Sequence, residues 1–229
     1  MRKLFFVLIC LCILLWGCEN NQQDSTHAPL AKQPGTYTLL TMEENTDPVD
    51  VQIIDRFLAS NAYGFGYYET LKQNVPDILS YLRNVTPDLL KDQCSIYRFS
   101  YDTHTGLNGE TFLIYEDEVF VLGKAVGCHG VTEFAYIEQE SGEKLYFIYS
   151  FGSGLHRSHI GAFDFRTKQL THTDGLLFQR QDITFCLSQD LQTLGVCQAE
   201  IRWPNFDAVS IEITPGNILY EDVLELDFK

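Results

Sequence analysis

Apolar and polar positions alternate on three scales along this chain, and each scale predicts a different kind of element. From Leu4 to Trp16 thirteen residues run apolar without a charged or polar break, behind the short basic start Met1-Arg2-Lys3. Residues 19–35, ENNQQDSTHAPLAKQPG, then offer almost nothing to bury and read as a disordered tether, in which His27 needs no special role. A first strand is predicted at 36–42. Asp47-Pro48 looks like an N-cap followed by proline at the first helical position. Ile53, Ile54, Phe57 and Leu58 then fall on one helical face, and Asn61 before Gly64 would close that helix. A second helix is predicted from Pro76, burying Ile78, Leu79 and Leu82. Thr86-Pro87 repeats the cap-and-proline signature for a short turn through Leu89 and Leu90.

From Cys94 the period drops to two, with Tyr97, Phe99 and Tyr101 alternating against polar neighbours. Hairpins are predicted from 111–115 and 119–126 around Glu116-Asp117-Glu118, and from 134–138 and 144–151 around Ser141-Gly142. Two more follow from 160–165 and 169–173 around Arg166-Thr167-Lys168, and from 183–187 and 194–201 around Ser188-Gln189-Asp190. Two last strands are expected near 209–213 and 218–226. The fold class is therefore mainly β: an antiparallel meander forming a twisted sheet, sandwich or partial barrel, with two or three short helices at the N-terminal end. One globular domain is expected over 36–229, helical over 47–92 and β over 94–229. The segment GAFDFRTKQLT is similar to hairpins of β-propeller blades, but about 135 residues after Cys94 are too few for four blades of roughly 40.

The early apolar run is too short to span a membrane, which takes about 20 residues, and it reads as a signal peptide. Behind it, Leu15-Trp16-Gly17-Cys18 resembles the lipobox of bacterial lipoproteins: an aliphatic residue, a variable one, a small one, then the modified cysteine. Trp16 is bulkier than the residue usual there. The resemblance implies removal of residues 1–17, a diacylglycerol thioether on the Cys18 sulfur, and acylation of the new amino terminus by a fatty acid such as palmitate. Each buried methylene contributes about 0.8 kcal/mol, so two or three chains anchor a protein stably. Glu19 stands where the family's inner-membrane proteins often carry aspartate. The resemblance therefore points to the outer membrane, facing periplasm or surface. The bland alternative is a secreted protein, cut near Gly17, in which Cys18 is incidental.

Charge narrows the partners. Losing residues 1–17 removes two bases and no acid, leaving 14 Lys and Arg against 31 Asp and Glu and a formal charge of −17. Such a surface repels phosphate backbones and anionic headgroups, which argues against nucleic acid and against docking of the domain itself on lipid. The expected partners are the membrane, through the anchor alone, and an envelope protein or small ligand. Asn84-Val85-Thr86 matches a glycosylation sequon, which means little in a bacterium.

Cys10 and Cys12 leave with the signal peptide, so Cys94, Cys128, Cys186 and Cys197 remain for an oxidising compartment. Four cysteines allow three connectivities. A two-residue turn at Leu191-Gln192 would set Cys186 directly opposite Cys197, with Cβ atoms about 4.5–5.5 Å apart. That bridge would contribute roughly 3 kcal/mol. Cys94 and Cys128 are left to pair by elimination.

The densest chemistry is the loop 152–161, GSGLHRSHIG, between two predicted strands. Its glycines permit tight turns that aim side chains together. His156 and His159, with His129 or Asp164, could hold a metal only if His156 still lies in the turn, because strand residues three apart face opposite ways. Ser153 or Ser158 with a histidine base suggests hydrolysis, although neither serine lies in G-x-S-x-G. Arg157, His156 and the glycine amides would suit an anionic group. Set against these is a plain structural turn, with Arg157 paired to a surface acid. Tyr63, Phe65, Tyr67 and Tyr68 could form an aromatic platform for a sugar, or simply core. His104 and His172 have no evident partner. No phosphate loop, CxxC pair or dinucleotide fingerprint occurs, and no cofactor is expected. The sum is an envelope lipoprotein acting as a non-enzymatic binding or assembly component. The alternative is a metal-binding protein or hydrolase using the His156–His159 loop.

Overall fold

The computed structural model describes residues 35–42, 44, 51–60, 73, 77–99, 110–123, 128–151, 157–173, 178–179, 182–202 and 212–229. For 78, 128–130, 150–151, 157, 178–179 and 201 it describes the backbone path alone. The chain divides into two units, Met1–Lys32 and Gln33–Lys229, and the described residues all belong to the second.

The period-two pattern becomes three antiparallel sheets. The central sheet joins β1 (Tyr37–Leu40), β6 (Cys128–Gln139), β7 (Gly142–Phe151) and β8 (Arg157–Asp164) in that order. The outer edge of β8 is shared by β9 (Gln169–His172) and β10 (Phe178–Gln179). A four-stranded sheet runs β2 (Leu82–Asn84), β3 (Ser95–Phe99), β4 (Thr111–Tyr115), β5 (Glu118–Val121), and a three-stranded sheet runs β11 (Asp182–Leu187), β12 (Leu194–Arg202), β13 (Glu212–Tyr220). The fold is mainly β and sandwich-like, and the described strands close no barrel.

Burial shows why the sheets stack. Phe134, Leu145, Phe147 and Phe163 of the central sheet pack with Ile96 and Leu113 of the four-stranded sheet. The other central face packs Ala135, Ile148 and Ile160 against Ile183, Phe185 and Val196. With both faces covered, the central strands carry apolar residues at almost every position. The far face of the four-stranded sheet receives α1 (Val51–Ala59), which buries Ile54 and Leu58 and half-buries Ile53 and Phe57, the predicted face.

A register shift in β6 between Val131 and Glu133 decides which sheet each side chain meets. The extra residue reverses the alternation. Val131 therefore faces the four-stranded sheet, and Glu133 faces β11, where its Oε2 accepts from Phe185 N–H at 2.7 Å and the Thr184 hydroxyl at 2.8 Å. The same shift hid the first half of β6 from a reading based on strict alternation.

Other expectations are corrected. The helix expected from Pro76 is a 3-10 turn, Ile78–Tyr81, after which Leu82 enters β2, because 82–84 pair with 97–99. Thr86 serves the sheet rather than a helix cap: its hydroxyl accepts from Ile96 N–H at 2.7 Å and donates to Asn84 Oδ1 at 2.6 Å. The sequon asparagine Asn84 is buried by this arrangement. The two last strands are one, β13, continuous through Pro215. Proline is tolerated there because β13 is an edge strand that needs no outward N–H.

The cysteine hairpin is shifted by two residues from the expected register. Ser188 and Asp190 build the turn: Asp190 Oδ1 accepts from the Ser188 hydroxyl at 2.6 Å and from Gln192 N–H at 3.1 Å. Leu191 is held at φ +61°. Cys186 thus faces Gly195 and Cys197 faces Thr184, so the cysteines sit diagonally, not opposite. An even shift keeps both on one face, and the missing side chain at Gly195, where a Cβ would lie 3.0 Å from Cys186 Sγ, leaves the sulfur room. The Cys186–Cys197 disulfide forms across a Cα separation of 6.3 Å. Cys94, in contrast, is a free thiol buried between two sheets, so the pairing with Cys128 reached by elimination is not made. Burial pushes its thiol up to about 12.

Candidate functional site

Strand directions give the stack two unlike ends. At one end lie the tight turns: Glu116-Asp117, both at positive φ, 140–141, 165–168 and 188–193. Lys168 ties two of them, reaching Glu116 at 2.7 Å and Glu118 at 2.8 Å. At the other end β3, β7 and β12 finish, and β4, β6, β8 and β13 begin. Of the loop expected over 152–161, residues 157–161 instead open β8 at this second end, paired with β7, and 152–156 lie outside the described residues.

His159 is placed by the register of β8 opposite Tyr149 of β7. Its imidazole is buried and stacks on that ring, centroids 5.1 Å apart and planes 13° apart. His172 of β9 lies opposite Gly161 and meets Tyr149 edge-on at 5.4 Å and Phe147 at 5.8 Å. Gly161 makes this possible. A Cβ there would stand 2.0 Å from the Phe147 ring, so only glycine lets that ring lie across β8.

The four-stranded sheet adds charge at the same end of the seam. Arg98 is 2% exposed and pairs with Thr111, whose Oγ1 accepts from Val131 N–H at 3.3 Å, and Val131 pairs with Tyr149. Glu110, fully buried, accepts Phe99 N–H through its carbonyl as β4 begins. Arg98, Glu110, His159 and His172 all make further contacts within the protein. Buried ionisable groups persist only when they are engaged in this way. The set brings four buried polar or charged side chains together where two sheets meet.

The nominated residues separate. Ser158 and His159 are both buried but lie on opposite faces, since Ile160 belongs to one core and Phe163 to the other. They cannot act as nucleophile and base for each other. Asp164 sits at the tight-turn end, where its carboxylate accepts from Thr167 N–H at 2.9 Å; desolvation works to raise it, and that bond and Lys144 bring it below its ordinary range. Five strand residues from His159 amount to about 16 Å, too far to share an ion. Among the described residues no group of three His, Cys, Asp or Glu is arranged to hold a metal. Ser153, His156, His104, Cys18, Tyr63, Phe65, Tyr67 and Tyr68 lie outside the described residues, as do the side chains of Arg157, His129 and Cys128.

Arg98 and Glu110 had no role assigned from the sequence, and His172, which had no evident partner there, meets Phe147 and Tyr149. The Arg98 signal was present: Ile96, Tyr97 and Phe99 around it mark a strand apolar on both faces, so a charge there has to be buried. Comparison of the chain with known protein families, curated proteins and solved structures yields no match.

Proposed function

We propose that this chain is an exported envelope lipoprotein, held on the outer membrane by lipid on Cys18, whose stacked sheets serve as a non-enzymatic binding or assembly component. The Cys186–Cys197 disulfide carries the reading from the side of the structure. Reducing compartments keep such a pair open, whereas a signal peptide would deliver it where disulfides persist. The lipobox resemblance at Leu15-Trp16-Gly17-Cys18 supplies the anchor. A binding role is favoured over catalysis because His159 and His172 are committed to ring packing and Ser158 faces away from His159.

Density-gradient fractionation of cells expressing the full chain tests this. The wild type is expected with outer-membrane lipid, and Cys18→Ser in the soluble envelope fraction. A wild-type chain found soluble, or Cys186 and Cys197 recovered as free thiols, would contradict the proposal.

A further inference from the structure

We propose that the domain stands with its tight-turn end toward the bilayer, and that the acidity of this end holds it off an anionic lipid surface. The inference rests on the reading of Cys18 as the anchor and adds an orientation to it. Two observations carry it. The chain joins the described domain at the tight-turn end, where Gly35 N–H donates to Glu138 O and Tyr37 N–H to Leu191 O at 2.8 Å. The turns around that point expose Glu116, Asp117, Glu118, Glu138, Glu140 and Asp190. With Glu143 and Asp164, eight carboxylates stand at these turns against three bases, Lys144, Arg166 and Lys168, the last bridging Glu116 and Glu118, which leaves the end net negative.

Sixteen residues separate Cys18 from Gly35, and even fully extended the seventeen steps reach at most about 60 Å. The tether enters at the tight-turn end, so this end is tied closest to the anchor along the chain. Repulsion from anionic headgroups acts over about 10 Å at 0.1 M salt and about 30 Å at 0.01 M. At low salt it is felt across much of the tether's range. Leu39 and Leu191, exposed near the same end, pull the other way by offering apolar contact.

The test uses the full lipidated chain in vesicles carrying a headgroup-labelled acceptor lipid. A donor dye is attached in Ser141→Cys at the tight-turn end or in Arg202→Cys at the far end of β12, and the parent chain corrects for native thiols. Flotation comes first: a chain that does not float with vesicles defeats the anchor reading, and the orientation with it. For a floating chain, the Ser141→Cys donor is expected to transfer about twice as strongly as the Arg202→Cys donor, the two positions lying roughly 25 Å apart along the strands. Replacing half of the phosphatidylcholine by phosphatidylglycerol at low salt should lower the Ser141→Cys transfer by about a third, and raising salt to about 0.5 M should restore it. Equal or reversed transfer from the two positions, or transfer from Ser141→Cys that rises or stays constant on anionic vesicles, overturns the orientation while leaving the anchor intact.

Discussion

Glu133 is where the packing can be tested most sharply. Its carboxylate joins the central sheet to β11 through two donors, Phe185 N–H and the Thr184 hydroxyl, and desolvation raises its pKa above the ordinary carboxylate value, the two donors opposing that rise. Glu133→Ala leaves both donors without an acceptor in a buried place, Phe185 and Thr184 each being 3% exposed. An orphaned buried donor costs about 1–3 kcal/mol, so the pair amounts to about 2–4 kcal/mol after partial rehydration. For a domain of this size that lowers Tm by roughly 5–15 °C. Glu133→Gln keeps an oxygen that can accept both bonds and removes the buried charge, so it should stay within about 1 kcal/mol of wild type at neutral pH. The two variants also differ in pH response. A carboxyl whose folded pKa is raised stabilises most below its unfolded value, and that contribution is lost as pH rises through the folded value. The wild type should therefore lose ground to Glu133→Gln as pH rises from 4 to 7. Thermal unfolding followed by circular dichroism across that range measures it. A Glu133→Ala loss under about 0.5 kcal/mol, or a wild-type-minus-Gln difference that does not change with pH, would refute the reasoning.

Three further outcomes are expected. Gly161→Ala drives a Cβ into the Phe147 ring and should cost at least about 1–3 kcal/mol in chemical denaturation, with altered near-ultraviolet dichroism from the Tyr149 cluster. Leu191→Gly relieves a leucine held at φ +61° on the surface and should raise stability by about 1 kcal/mol, seen as a Tm increase of a few degrees. Peptide mapping without reduction should recover Cys186 and Cys197 cross-linked and Cys94 alkylated only after unfolding; the double Cys186→Ser, Cys197→Ser variant should lose roughly 3 kcal/mol.

What the sequence made legible follows from which signals are local. Hairpins with polar turns were readable because alternation and turn residues both lie within a dozen positions, as at 111–121 and 160–172, whereas 157–159 of β8 read as loop. The helix face of Ile54 and Leu58 was readable for the same reason. The register of the cysteine hairpin was not, because it depends on Asp190 accepting from Ser188 and Gln192, a side-chain choice that alternation does not encode. The length of β6 was obscured by its bulge, and Leu82 by a strand partner, Phe99, seventeen residues away. Of the candidate site, the loop before β8 and His159 were legible as a concentration of polar residues. Arg98, Glu110 and His172 join that end of the seam only through pairings across two sheets.

The central claim is that Cys18 carries lipid. Growing cells with an alkyne analogue of palmitate, then conjugating a fluorophore to the purified chain, tests it directly. The account predicts label on the wild type, on an N-terminal peptide beginning at Cys18, and none on Cys18→Ser. An unlabelled wild type, or a mature chain beginning at any other residue, would contradict it.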